Sequence, residues 1–153
     1  MLRIALSCLL LLVSLTPPHQ AFAQEVTFRV IGAQGKVLFE ELAELSTGSL
    51  GEASHTLLSR ALRERSLHQY QGSSAGVTSV NELGSALEVL SDTQMNAYGW
   101  CYRVDGEISN LLAEQYRLTG SEQQIEWFYA YAHLERNDWT SMCVPADHKP
   151  AQN

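Results

Sequence analysis

The chain has 153 residues, 10 of them basic and 17 acidic, for a formal net charge of −7, and 45% of its residues are hydrophobic. That length suffices for one domain that buries most of its unfolded surface and is short for two. The acidic balance excludes nucleic acid and anionic membrane surfaces as favoured partners, because their phosphates would be repelled.

The first 23 residues have the layout of an export signal: Arg3, an apolar run over residues 4–15, then Thr16-Pro17-Pro18 and the small-residue site Ala21-Phe22-Ala23. Cleavage after Ala23 is expected, giving an exported protein, periplasmic or extracellular. The apolar run is about a dozen residues against the roughly 20 that span a bilayer, so no membrane insertion is expected. A lipoprotein reading would lipidate Cys8, but too few residues precede it for an apolar core. Removing residues 1–23 leaves 9 basic against 17 acidic residues and two cysteines, Cys101 and Cys143. In an oxidising compartment these two predict one disulfide. It would close a loop of about 43 residues and contribute about 4 kcal/mol on the loop-entropy account. The alternative, a reactive or metal-binding pair, lacks a C-x-x-C spacing.

Residues Glu25–Ile31 alternate Val26, Phe28 and Val30 against Glu25, Thr27 and Arg29, which predicts a strand with one buried face. Gly32-Ala33-Gln34-Gly35 supplies turn residues, and the apolar run at 36–40 completes a hairpin. After a small, polar link at 46–51, Leu57, Leu58, Ala61 and Leu62 fall on one side of a helical projection, with Arg60, Arg63, Glu64 and Arg65 outside. This predicts an amphipathic helix of about twelve residues capped by Ser54 and covering one sheet face. The arginines read as a solvated stripe paired with acids rather than an anion site. Residues 67–70 and 76–80 read as short strands split by Gly72-Ser73-Ser74. Residues 82–96 hold Leu83, Ala86, Leu87, Val89 and Leu90 at poor spacing and read as a short helix or ordered loop. The polar tail 146–153 is expected to be disordered.

Between Tyr98 and Tyr131 lie eight of the thirteen Phe, Trp and Tyr residues. Alternation puts Trp100, Tyr102 and Val104 on one strand face and Cys101 and Arg103 on the other. In the next aromatic run, Ile125, Trp127, Tyr129 and Tyr131 share a face, opposite Glu126, Phe128 and Ala130. Asp105-Gly106 predicts a turn, Leu111-Leu112 an apolar plug, and Thr119-Gly120-Ser121 a second turn.

Gly99, Trp100, Tyr102 and Val104, the turn Asp105-Gly106, the loop ending Ala113, Tyr116, Leu118, and the strand Ile125, Glu126, Trp127, Tyr129 together resemble the transcobalamin-like C-terminal domain. The first hairpin, the Leu57-Leu58 helix and the Gly76-Val77-Thr78-Ser79-Val80 strand are also similar to that family. The resemblance implies an α+β fold: a single β-grasp-like domain over residues 24–145, with a mixed sheet and one main helix packed on it. It is the smaller lobe of vitamin B12 carriers, which closes over one face of the corrin ring, so a corrinoid such as cobalamin is the implied ligand. This chain lacks the carriers' helical-barrel partner, and the stretch Gly120-Ser121-Glu122-Gln123-Gln124 is longer than the family's tight turn.

Trp100, Tyr102, Trp127, Tyr129 and Tyr131 are the candidate ligand-binding residues, as a flat aromatic platform for a planar or sugar-like ligand. The competing reading is sheet core, since alternation does not tell which face lies under the helix. His55, His68 and His133 are too scattered for a metal motif, and no metal site is expected. His133, at the end of the aromatic strand, is the histidine to name as an axial cobalt ligand. No nucleophile elbow, paired acids or phosphate loop accompanies these residues, so no catalytic set is expected. The expected function is a non-enzymatic exported binding module for a small planar ligand, with docking on another exported protein as the alternative.

Overall fold

The structure is a computed structural model that describes residues 25–45 and 48–151. The expected export signal at 1–23 lies outside them. Strands β1 (Glu25–Ile31) and β2 (Val37–Glu44) form the predicted antiparallel hairpin, and the chain passes through the two-residue strand β3 (Gly48–Ser49) into the helix α1 (Leu50–Arg63). A small hairpin follows, β4 (Tyr70–Ser73) and β5 (Gly76–Val80), then β6 (Ala86–Ser91) and the long β7 (Gln94–Val104). Two short strands, β8 (Glu107–Ile108) and β9 (Arg117–Leu118), precede the long β10 (Gln124–Glu135), and β11 (Asp138–Pro145) closes the set.

The main sheet runs β2-β1-β10-β7-β6, with β1 parallel to β10 and the other pairs antiparallel. β7 pairs with β10 from Val104 opposite Ile125 to Gln94 opposite Glu135, filling one edge of β10. The other edge is shared: β1 takes residues 124–128 and β11 takes residues 130–135. The fold is therefore a mixed sheet with, among the described residues, a single α-helix.

The helix begins earlier than the sequence suggests. Ser49, not Ser54, is the N-cap: its Oγ accepts from the Glu52 N–H at 3.2 Å, and Glu52 adds an acid to the first turn while Arg60 and Arg63 sit in the last. The Leu50 and Gly51 N–H groups donate to the carbonyls of Tyr116 and Ala113, both at 2.9 Å, which fastens the helix start to the loop before β9. Leu50, Ser54, Leu57, Leu58 and Ala61 form its buried face, whereas Leu62, expected inside, is exposed. The link 46–51 reads as loop, which conceals the true cap within it.

The helix covers the sheet face that carries Val26, Phe28, Val30, Tyr102, Val104, Ile125 and Trp127, and these make one core. No α-helix covers the opposite face among the described residues. There Arg103 lies over the Phe128 ring at 5.3 Å, and Glu126, 4% exposed, sits between Arg103 and Arg29, with Arg29 also paired to Glu40. The Cys101 and Cys143 sulfurs are bonded, joining the two strands that flank β10, as cysteine use predicted.

Four further expectations change. Of residues 82–96, expected as a short helix or ordered loop, 82–85 are loop, but 86–91 are β6 and 94–96 the start of β7, an edge hairpin whose apolar residues Leu87 and Val89 face water and so lack a one-sided burial pattern. Residues 67–69 belong to no strand, so β4 starts only at Tyr70. Leu111 and Leu112 are 51% and 58% exposed, so they plug nothing. The tail is packed over 146–150: Ala146 is 3% exposed, donates to the Tyr129 carbonyl at 3.0 Å and accepts from the Gln34 N–H at 2.9 Å, and Pro150 is buried. Polar composition predicts disorder because it does not register these backbone bonds. The structure also adds a hairpin turn before β11. Arg136 and Asn137 both adopt positive φ, 50° and 72°, as a two-residue hairpin turn requires, and Asn137 is its signal in the sequence.

Candidate functional site

Five aromatic side chains on the helix-covered face end in polar tips, and each tip is spent on holding the fold. Trp127 Nε1–H donates to Ser54 Oγ at 2.9 Å, and Trp100 Nε1–H to the Leu83 carbonyl at 2.9 Å. Tyr102 and Tyr129 hydroxyls donate to the carbonyls of Leu111 (2.7 Å) and Gly84 (2.8 Å), and the Tyr98 hydroxyl donates to Glu88 Oε2 at 2.7 Å. A buried aromatic with a polar end needs such a partner, and loop carbonyls need donors, so each bond satisfies two groups at once.

The candidate platform residues accordingly part company. Tyr102, Trp127 and Tyr129 are 6%, 2% and 2% exposed and belong to the core, while Trp100 and Tyr131 are half-buried. Tyr102 packs against Trp127 at 5.3 Å between ring centroids and against Tyr116 at 5.9 Å, edge on. Tyr129 sits with Trp100 (5.5 Å) and Tyr98 (6.0 Å), and Tyr131 lies 5.6 Å from Tyr98.

Three of the five do converge at a cleft. β6 pairs with β7 only over residues 94–98 and β8 only over 103–104, which leaves residues 99–102 without a strand on that side. In this gap opens a cleft of about 210 Å3, floored by Trp100, Tyr102 and Trp127, with the Cys101–Cys143 bridge on its wall and Leu111 and Leu112 at its lip. Gly76 forms the far wall at positive φ (+153°); a Cβ there would meet Trp127 Cη2 at 3.4 Å. The lip is positioned by the Tyr102 hydroxyl, which fixes the Leu111 carbonyl. Leu111 and Leu112 are the site residues that sequence reasoning misassigned; their signal was two adjacent leucines in an otherwise polar loop.

Beside the second aromatic group lies a chain of polar contacts. His133 Nδ1 is 2.7 Å from Asn96 Oδ1, Asn96 Nδ2 donates to Glu88 Oε2 at 3.3 Å, and the tail residue His148 contacts Glu88 Oε1 (3.2 Å), Tyr98 Oη (3.1 Å) and Asp147 Oδ1 (2.7 Å). Because the Asn96 amide faces Glu88 with its donor, it faces His133 with its acceptor, which places the His133 proton on Nδ1. The neighbouring Asp147, then Glu88, raise the His148 pKa, and the Tyr98 hydroxyl, then His148, lower that of Glu88. Burial, then Glu88, pushes the Tyr98 hydroxyl up to about 12. Among the described residues, no group of three or more His, Cys, Asp or Glu side chains could hold a metal ion. No described helix is long and apolar enough to cross a membrane. Compared with protein-family models, with curated proteins and with solved structures, the chain matches none.

Proposed function

We propose that the protein is an exported, non-enzymatic binding module of the transcobalamin-like, β-grasp-like kind, and that its contact surface is the cleft beside β7 with its leucine lip. The fold part of the reading is supported by the hairpin-then-helix order and by β1 running parallel to β10 in the middle of the sheet. Export is supported by the cysteine pair at bonding distance. The observation that carries the functional part is that Leu111 and Leu112 stand in water directly over an aromatic floor whose own polar tips are already bonded. Such a surface offers dispersion and apolar burial; its lining holds no carboxylate, histidine or lysine, and its one serine, Ser109, already accepts from the Leu111 N–H, which suits binding rather than chemistry.

A corrinoid is the first ligand to try, held by one face as a lobe holds it and not enclosed. Titration of the protein with cobalamin and with cobinamide is expected to quench Trp100 fluorescence and to give heat by calorimetry. Both signals should persist in Trp139→Phe and disappear in Leu111→Asp/Leu112→Asp. No quenching and no heat with either compound removes the corrinoid reading. The size of the cleft favours a second reading, docking on another exported protein: about 210 Å3 is below the roughly 300–1,000 Å3 of small-molecule pockets and suits one large side chain of a partner.

A further inference from the structure

The core under α1 does not take in the whole of its sheet face. Beyond it lies a second buried cluster of Leu83, Tyr98 and Tyr129, with half-buried Tyr131 packed beside them, and its fourth member is Ala146 of the tail. Ala146 is fastened by two backbone hydrogen bonds, and among the described residues it is the last to make one. From 147 to 151 the chain is held by side chains: Pro150 is buried, Lys149 Nζ lies 3.8 Å from Glu82 Oε2, and His148 packs edge-on against Tyr98 with 5.6 Å between ring centroids. Every polar group that His148 meets is an acceptor. Its Nδ1 faces Asp147 Oδ1, and its Nε2 faces Glu88 Oε1 and the Tyr98 hydroxyl oxygen, whose proton is committed to Glu88 Oε2. A protonated ring donates at both nitrogens. A neutral ring has one N–H and turns a lone pair toward an oxygen at its other end, and at Nε2 it is satisfied only by drawing the Tyr98 proton off Glu88. The site is therefore built for the imidazolium.

We propose that residues 147–151 are a strap keyed by the proton on His148: with the proton in place the strap lies over Tyr98, and when the proton leaves it lifts and uncovers an aromatic surface of Tyr98 and Tyr131. Tyr98 is 4% exposed with the strap down and lies 5.6 Å from Tyr131 between ring centroids, so the two rings open as one surface. The titratable groups facing His148 are Asp147 on its own segment, Glu88 of β6 and Tyr98 of β7. Behind them, Asn96 links Glu88 to His133 of β10, and the neighbouring Lys149 is paired with Glu82. Asp147, then Glu88, raise the His148 pKa, so the hold is complete below the ordinary imidazole value of 6.5 and is lost as pH rises through the folded value. Glu88 and Asp147 have lowered pKa values, so the acid side of the clamp stays intact until pH falls through theirs. Lifting breaks no backbone hydrogen bond among the described residues, which lets one proton decide the position of five residues.

Aromatic NMR spectra of the full chain, with a neutral gadolinium chelate in solution, read the exposure of each ring. Between about pH 5.5 and about pH 8.5, a span that brackets imidazole titration, paramagnetic broadening of the Tyr98 ring signals is expected to rise severalfold, with the midpoint at which His148 itself titrates. His148→Gln, neutral throughout, should show the high broadening at both ends of that span. His148→Arg, charged throughout and able to donate to both carboxylates, should show the low broadening at both. Equal Tyr98 broadening at the two ends in the unaltered chain overturns the proposal, as does a midpoint away from that of His148 or a pH step that survives in either variant. None of Tyr98, Tyr131 and residues 147–151 lines the cleft beside β7, so cleft binding stands or falls separately.

Discussion

Ser54 is a helical serine on a buried helix face, 2% exposed, and its hydroxyl oxygen accepts from the indole N–H of Trp127, itself 2% exposed and 73 positions away. Ser54→Ala removes the acceptor and leaves the donor where water does not reach it. An orphaned buried donor costs about 1–3 kcal/mol. For a domain of this size, about 2 kcal/mol lowers the thermal midpoint by about 8 °C. Ser49→Ala is the informative control: it removes the N-cap, costing about 1 kcal/mol, without touching the indole. Urea unfolding followed by fluorescence gives the two energies, and the Trp127 indole proton in an NMR spectrum tells them apart. It should shift in Ser54→Ala and stay in place in Ser49→Ala. An unmoved indole resonance, or a cost under about 0.5 kcal/mol for Ser54→Ala, would refute the buried bond and return Ser54 to the capping role its sequence position suggests.

Gly51→Ala should destabilise by about 3 kcal/mol or more, because the new Cβ would lie 1.7 Å from the Ser74 carbonyl oxygen, while Gly99→Ala, with open space around it, should be neutral or slightly stabilising by chemical denaturation. The contact of tail residue His148 with Glu88 and Asp147 is expected to be pH-dependent on both sides. His148 has a raised pKa, so its contribution is complete below the ordinary imidazole value of 6.5 and is lost as pH rises through the folded value; Glu88 has a lowered pKa, so its contribution is present above its ordinary value and lost as pH falls through the folded one. Amide exchange at 146–149 should therefore be slowest between those limits, and His148→Gln should flatten the alkaline arm; equal protection on both sides of the imidazole range contradicts the contact. Cys101→Ser/Cys143→Ser opens a loop of sequence separation 42 and should cost about 4 kcal/mol of unfolding free energy, with no loss expected if the two thiols are free in the exported protein.

Strands with one dry face were legible: Val26, Phe28 and Val30 alternate, and so do Trp100, Tyr102 and Val104, because a period of two repeats the environment at every second residue. Residues 82–96 were not, because β6 is an edge whose apolar side chains face water and whose one acid faces inward, the reverse of the pattern that marks a strand. The candidate site was half legible. Sequence brought Trp100, Tyr102 and Trp127 together, but it assigned Leu111 and Leu112 to the interior, since hydrophobicity says what burial would gain and not whether a residue obtains it.

By itself the sequence determined the first hairpin, an amphipathic helix, the two aromatic strands, their facing and the pairing of two cysteines, all of them set by local periodicity or by count. Tertiary structure alone decided which aromatic face the helix covers, which ring tips are consumed by Ser54 and the loop carbonyls, and where the tail from Ala146 docks. The physical reason is the range of the interactions. Periodicity acts between neighbours along the chain, whereas the Trp127 to Ser54 bond joins residues 73 positions apart and exists only once the sheet and helix have met.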